Sequence, residues 1–234
     1  MNSKSKASYS SRLTEAEKMV EFLNTFAAYE PGDEDLKPAS LLADTIDLHS
    51  IQTDHTTKHF NYTQAANERR KYFDKAENSI AKLLSPIGAY VKAKMGKTSQ
   101  EYIEVMNLIR KIRGEKNIPI SENSNTETIS RSEKSFGSRL IYFGDIITLL
   151  TNFNASYYPS RTEIQVDKLQ TVLNRAIDET NKVSAKLAVF KPVIQTRAEG
   201  FEALSAKVQR IKDMVKAQYG LNSSEYNLIK GLKI

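Results

Sequence analysis

The chain has no cysteine among its 234 residues, which excludes disulfides, cysteine nucleophiles and thiolate metal sites. Glycine (9) and proline (6) are scarce and alternating strand patterns are absent, so long windows without either breaker predict long helices. No apolar run approaches the roughly 18–20 residues that span a bilayer. The polar start MNSKSKASYSS has no hydrophobic segment behind it. Neither membrane insertion nor a secretory signal is expected, and the expected location is cytoplasmic. Also missing are a Walker or dinucleotide glycine pattern, a Gly-x-Ser-x-Gly elbow, His-Glu-x-x-His, and the Glu-x-x-His of ferritin-like di-iron bundles. Catalysis is therefore not expected, and the sequence assigns no catalytic residue, no cofactor-binding residue and no cofactor.

What is present is charge and helical periodicity. Charged residues make up 26% and the hydrophobic set 40%, ordinary for a soluble globular protein. The net charge of +6 is uneven: residues 1–113 carry 17 basic and 15 acidic groups, 114–134 carry 3 and 4, and 135–234 carry 14 and 9. Basic clusters stand at Arg69-Arg70-Lys71, at Lys92, Lys94 and Lys97, and at Arg110, Lys111 and Arg113. They could contact phosphates or simply form solvated helix faces, and no helix-turn-helix, RRM or KH pattern accompanies them.

A helical stripe begins near Tyr9 with Leu13, Ala16, Val20, Leu23 and Ala27, and Pro31-Gly32 stops it. A second helix is predicted from about Asp33 to Tyr72, with Pro38 in its first turn and an apolar seam at Leu36, Leu41, Leu42, Ile46 and Leu48. A third covers about Ser79–Met95, with Pro86 inside it, and a short fourth follows Gly96 with Tyr102, Val105, Met106 and Ile109 inward. Residues 1–8 read as a tail, and the serine- and asparagine-rich stretch 114–134 as a linker.

Then the plan repeats. Ser138-Arg139-Leu140 follows Ser11-Arg12-Leu13 at an offset of 127, and Pro159 and Leu169 follow Pro31 and Leu41 at 128. YVKAKMGKTSQEY (90–102) and MVKAQYGLNSSEY (214–226) are related at 124. Four residues, about one helical turn, thus separate the copies somewhere past Leu41. From about Arg161 a heptad-like seam runs through Val166, Leu169, Leu173, Ala176, Thr180, Val183, Leu187, Phe190 and Ile194. The expected fold is all-α: an elongated helical bundle of two tandem, pseudo-twofold-related half-units of about four helices each, 9–113 and 135–234, packed as one domain.

The repeated Gly-x-x-Ser-x-Glu-Tyr turn reads as helix punctuation. Gly96 and Gly220 fit the left-handed stop, Thr98 and Asn222 the N-caps, Glu101 and Glu225 a capping box, and Leu221 with Tyr226 a hydrophobic staple. All three histidines, His49, His55 and His59, lie within eleven residues of one helix. His55 and His59, at i and i+4, share a face and are the candidate metal ligands, with Asp54 or a residue from another helix as a third. The competing reading is packing, since their counterparts at 128 are Ile177, Val183 and Leu187.

The run Val91-Lys92-Ala93 through Tyr102, its copy from Val215 to Tyr226, and the Tyr29-Glu30-Pro31 and Tyr158-Pro159 openings resemble a pattern recurring in uncharacterised bacterial helical proteins. That group has no assigned activity, so the resemblance implies no functional residue. The expected function is a structural or protein-interaction bundle, with a protein partner or self-association. A nucleic-acid-associated basic protein is the alternative, and a metal-binding bundle using His55 and His59 the third.

Overall fold

The structure is a computed structural model that describes residues 8–114 and 135–234. The expected tail up to residue 7 and the linker from 115 lie outside the described residues. Every regular element is helical, with no strand among the described residues: α1 (Tyr9–Thr25), α2 (Pro38–Arg70), α3 (Ile80–Met95), α4 (Gln100–Arg113), α5 (Phe136–Asn152), α6 (Val166–Tyr219) and α7 (Ser224–Ile229). No described helix is long and apolar enough to cross a membrane.

The chain divides into two compact units that cut across the sequence halves. Unit 1 is Met1–Phe60 with Leu187–Ile234: α1, the start of α2, the end of α6, and α7. Unit 2 is Asn61–Lys186: the end of α2, α3, α4, α5 and the start of α6. Each unit thus takes its first helices from one half of the sequence and its last from the other.

In unit 1, Ser8 caps α1, its hydroxyl accepting from the Ser11 amide at 3.2 Å. Leu13, Met19 and Leu23 then bury against Leu41 and Leu48 of α2 and Phe201, Leu204 and Ile211 of α6. Between α1 and α2 the buried Tyr29 Oη donates to the Leu36 carbonyl at 2.9 Å, closing the Pro31-Gly32 turn. Asp33 caps only a single 3-10 turn (Glu34–Leu36), and α2 starts later than expected, at Pro38. The α2 seam is also corrected. Leu41, Thr45 and Leu48 are buried, whereas Leu42 and Ile46 are exposed. Thr45 tolerates burial because its hydroxyl donates to the Leu42 carbonyl of its own helix at 2.7 Å.

Unit 2 has the same ingredients. Ser135 caps α5, and the buried Tyr157 Oη donates to the Ile164 carbonyl at 2.7 Å. Phe143, Ile146 and Leu150 pack with Leu169 of α6 and with Phe73, Ile80, Ile87 and Ile109. Helix α3 runs through Pro86 without a break. At Gly88 it lies so close to α4 that a Cβ there would be 3.1 Å from the Met106 sulfur.

The place where the offset changes is visible. Buried Phe73 and Phe201 correspond at 128, and buried Ile80, Leu84, Ile87 and Val91 correspond at 124 to Leu204, Val208, Ile211 and Val215. The spacing between these buried positions therefore changes between Phe73 and Ile80. There α2 ends in a π turn (Lys71–Lys75), and Ser79 starts α3. Helix α6 continues unbroken for 54 residues. Its buried residues keep a seven-residue period at Leu169, Ala176, Val183 and Phe190, and again at Leu204 and Ile211. Contrary to the expected seam, Leu187 and Ile194 are exposed at 42% and 40%.

The repeated turn differs in detail from the expectation. Gly96 and Gly220 both stand at φ 93°. With ψ at 153°, Gly96 is in the extended glycine-only region rather than the left-handed helical one. This geometry carries the chain through a further turn, in which the amides of Ser99 and Ser223 donate to the Gly96 and Gly220 carbonyls at 3.4 and 3.3 Å. The caps consequently fall one residue later, on Ser99 and Ser223, whose hydroxyls accept from the Tyr102 and Tyr226 amides at 3.1 Å. Glu101 and Glu225 then sit one place too early for a capping box but still favour the positive helix end. Leu221 is exposed and makes no staple.

Candidate functional site

The polar stretch of α2 meets α6 within unit 1 at an arginine–histidine–aromatic cluster. His55 Nδ1 lies 2.9 Å from an Arg197 terminal nitrogen, and the Gln52 carbonyl oxygen lies 3.4 Å from the same nitrogen. Guanidinium nitrogens only donate, so His55 accepts at Nδ1 and carries its proton on Nε2. The His55 and His59 rings are nearly parallel at 6.1 Å, and Phe190 sits against both at 5.1 and 5.4 Å. Burial, then the Arg197 charge, then His59 push the His55 pKa below the ordinary histidine value.

This geometry bears on the metal reading of His55 and His59. The structure brings the two together and leaves His49 apart, paired with Glu17 at 2.8 Å. A metal on His55 would have to displace either the Arg197 bond at Nδ1 or the proton at Nε2, beside a guanidinium that repels cations. Among the described residues no group of three or more His, Asp or Glu is placed to hold a metal ion. Here His55, part-buried, holds Arg197, while His59 stays exposed beside Phe190.

Arg197 in turn lies over the Tyr9 ring, 4.5 Å from its centroid, and Tyr9 packs on Phe201 at 4.4 Å. Arg12 joins them, lying 5.0 Å over Phe201 and donating to the Phe201 carbonyl and the Ser205 hydroxyl. Unit 2 contains the counterpart on corresponding residues. Arg69 lies 3.8 Å over Phe136, Phe136 packs on Phe73 at 4.7 Å, and Arg139 lies 5.0 Å over Phe73 while donating to its carbonyl at 3.1 Å. The Nε atoms of all four arginines are sealed without a partner. Ring faces offset part of the cost of burying these cations. Arg69 is therefore not the solvated basic residue that its place beside Arg70 and Lys71 implies; burial lowers its pKa from the usual arginine value.

The Ser-Arg-Leu repeat aligns Arg12 with Arg139 without giving either a role, Arg69 was read only as part of a basic cluster, and Arg197 was not singled out. Arg69 and Arg197 are also 128 apart, the signal that would have paired them. Sequence reasoning also missed a polar network in unit 1. Lys207, little exposed, bridges Asp35 at 2.8 Å and Asp44 at 2.5 Å, and Arg210 clamps Asp33 and Asp35 at 2.7 and 2.8 Å. The Lys207 hydrogen bond leads the causes holding the Asp35 carboxyl below its ordinary pKa. At Lys207, burial opposes ionisation but is outweighed by the two carboxylates, and the pKa rises.

Compared with known proteins, the chain matches no family model, no curated protein and no solved structure.

Proposed function

We propose that the protein is a non-enzymatic helical interaction module that associates with a second copy of itself through α6. The observation that carries this is the exposure of Leu187 and Ile194 on a helix whose Leu169, Ala176, Val183 and Phe190 are buried. These two are seven residues apart, so in an antiparallel pairing about the point midway between them, Leu187 of each copy meets Ile194 of the other. Such self-complementarity is what a closed two-fold contact requires. Val189 and Phe60 add exposed apolar surface to the same unit. The same correspondence of buried positions and arginine–aromatic clusters supports a chain built from two related half-sequences that exchange their C-terminal helices.

Sedimentation equilibrium of the full chain tests the reading. A dimer of twice 26.4 kDa is expected, reverting to monomer in Leu187→Glu/Ile194→Glu with an unchanged helical spectrum. A wild-type chain that stays monomeric at its highest soluble concentration sinks it.

A second reading, polyanion binding in the manner of a nucleic-acid-associated protein, is favoured by one observation on α3–α4. Lys82, Lys92, Lys94, Lys97, Arg110 and Lys111 have no carboxylate partner among the described residues, whereas Lys207 and Arg210 of unit 1 are paired. Duplex DNA retention that falls steeply with salt, and weakens in Lys92→Glu/Arg110→Glu, is its signature. Absence of retention at low salt removes it.

A further inference from the structure

Unit 2 holds an open cleft of about 430 Å³ between the last turns of α2 and the first turns of α6. That lies within the range of small-molecule sites, roughly 300–1,000 Å³. Its organising group is Glu179, only 4% exposed. Glu179 Oε1 accepts from Lys182 Nζ at 2.8 Å and lies 3.4 Å from Arg175 Nε. Carboxylates are seldom buried so deeply unless they hold something in place. The corresponding residue of unit 1 is Ile51, so the fold does not need an acid at this position.

What Glu179 holds is a cationic wall. It pairs with Arg175 at the Nε side of the guanidinium, which also lies over the Tyr72 ring at 5.2 Å. The terminal nitrogens of Arg175 hydrogen-bond to no described residue. Lys186, one turn beyond Lys182, pairs with no described carboxylate. Three cations thus line the cleft around one buried acid, with the guanidinium fork oriented and unsatisfied. That geometry suits the oxygens of a phosphate group. Across the cleft, the side-chain amides of Asn61 and Gln64 provide both donors and acceptors. Glu68 also lines it and is tied to Lys71 at 2.5 Å.

Unit 1 closes the corresponding place. At the position of Tyr72 it has Gly200, and a Cβ there would lie 2.6 Å from Leu48 Cδ2. The opposite partner of the pair, Leu48, corresponds to Ala176. At this point the helices of unit 1 are in close contact, whereas unit 2 has a tyrosine and a wall of cations.

We propose that the unit 2 cleft binds a small phosphate ester bearing hydroxyl groups. The Arg175 fork, Lys182 and Lys186 take the phosphate, the Asn61 and Gln64 amides bond the hydroxyls, and Glu179 is a positioning residue for the cations. Calorimetric titration of the full chain with ribose 5-phosphate, inorganic phosphate and ribose separates the sources of affinity. Saturable binding of ribose 5-phosphate is expected, at least tenfold tighter than inorganic phosphate, with none for ribose. Arg175→Met and Lys186→Met should each weaken it at least tenfold with the helical spectrum unchanged, while Lys191→Met, outside the cleft, leaves it intact. No saturable binding of the ester overturns the proposal, as does binding that persists in Arg175→Met. Equal affinity for inorganic phosphate and the ester overturns the assignment of the hydroxyl-bearing group.

Discussion

Unit 1 and unit 2 place a tyrosine on a carbonyl seven residues ahead, an arginine on a phenylalanine carbonyl and a serine cap after a glycine, all on corresponding residues. They part company in what fills the contacts between helices. Unit 1 draws Lys207 in, little exposed, between Asp35 and Asp44, where unit 2 has Leu83 and, opposite, Glu163 and Val172. Unit 2 instead buries Glu179, where unit 1 has Ile51. Each unit thus carries one ionic group at a site that the other fills with an aliphatic one. Ion pairs at such sites contribute little net stability compared with packed hydrocarbon, so the fold rests on the shared apolar and arginine–aromatic contacts. The ionic sites are where the units are free to differ, and therefore where function is to be sought.

The largest effects should come from the shared core. Phe201→Ala and Phe73→Ala each remove a fully buried ring and should cost about 3–5 kcal/mol. Hydrogen exchange then discriminates the units. Phe201→Ala should accelerate exchange in α1, although the two lie in opposite halves of the sequence, and Phe73→Ala should accelerate α5 while sparing α1. Exchange that spreads instead along the halves 9–113 and 135–234 would contradict the observed pairing.

Smaller, and aimed at the difference, is a double-mutant cycle at the closed contact of unit 1. Gly200→Tyr overpacks it against Leu48 and should cost about 1–3 kcal/mol. Leu48→Ala alone should cost about 2–4 kcal/mol. The double variant reproduces the Tyr72/Ala176 combination of unit 2 and should be less destabilised than the sum. Strict additivity by chemical denaturation would show that the two contacts are not alternative solutions of one packing problem.

Smaller again is the His55 effect. Its folded-state pKa lies below the unfolded value, so the unfolded chain takes up the proton first as pH falls. The contribution is complete above pH ~6.5 and declines below it, until the folded state is protonated too. The melting temperature should therefore fall from pH 7.5 to 5, and less so in His55→Gln. Unit 2 has no corresponding histidine, position 183 being valine.

Much of the helical layout was legible in the sequence because it is written locally, in Pro31, Pro159, the glycine stops and the spacing of leucines, although the caps fell one residue from where they were expected. The pairing of helices was not. Periodicity says which face of α1 is buried, but the cores of both halves are made of the same aliphatic residues, so nothing local says whether Leu13 meets α3 or the end of α6. The change of offset from 128 to 124 was readable as a number. Where it falls, between Phe73 and Ile80, needed the burial of Ile80 and Leu204 to be seen together. At the sites the obstacle was long side chains. Arg69, Arg197 and Lys207 are cations that composition assigns to solvent, and each is drawn inward by a ring or a pair of carboxylates supplied from a distant part of the chain.

Glu179→Ile, which gives unit 2 the residue of unit 1, should have the smallest effect on stability and is the sharpest probe of the difference. Removing one member of a buried ion pair is usually costly because its partner is left stranded. Here the side chains of Arg175 and Lys182 are 56% and 58% exposed, so water takes over their solvation. The ion pairs lost are of the half-exposed kind, and the new side chain gains apolar burial. The net change should stay within about 1 kcal/mol and favour the variant. Phosphate-ester binding should weaken in the same protein, because Arg175 loses the group that orients it. A variant both unimpaired in stability and poorer in binding marks a residue kept for its site. One that loses several kcal/mol would make Glu179 a structural member of the core instead.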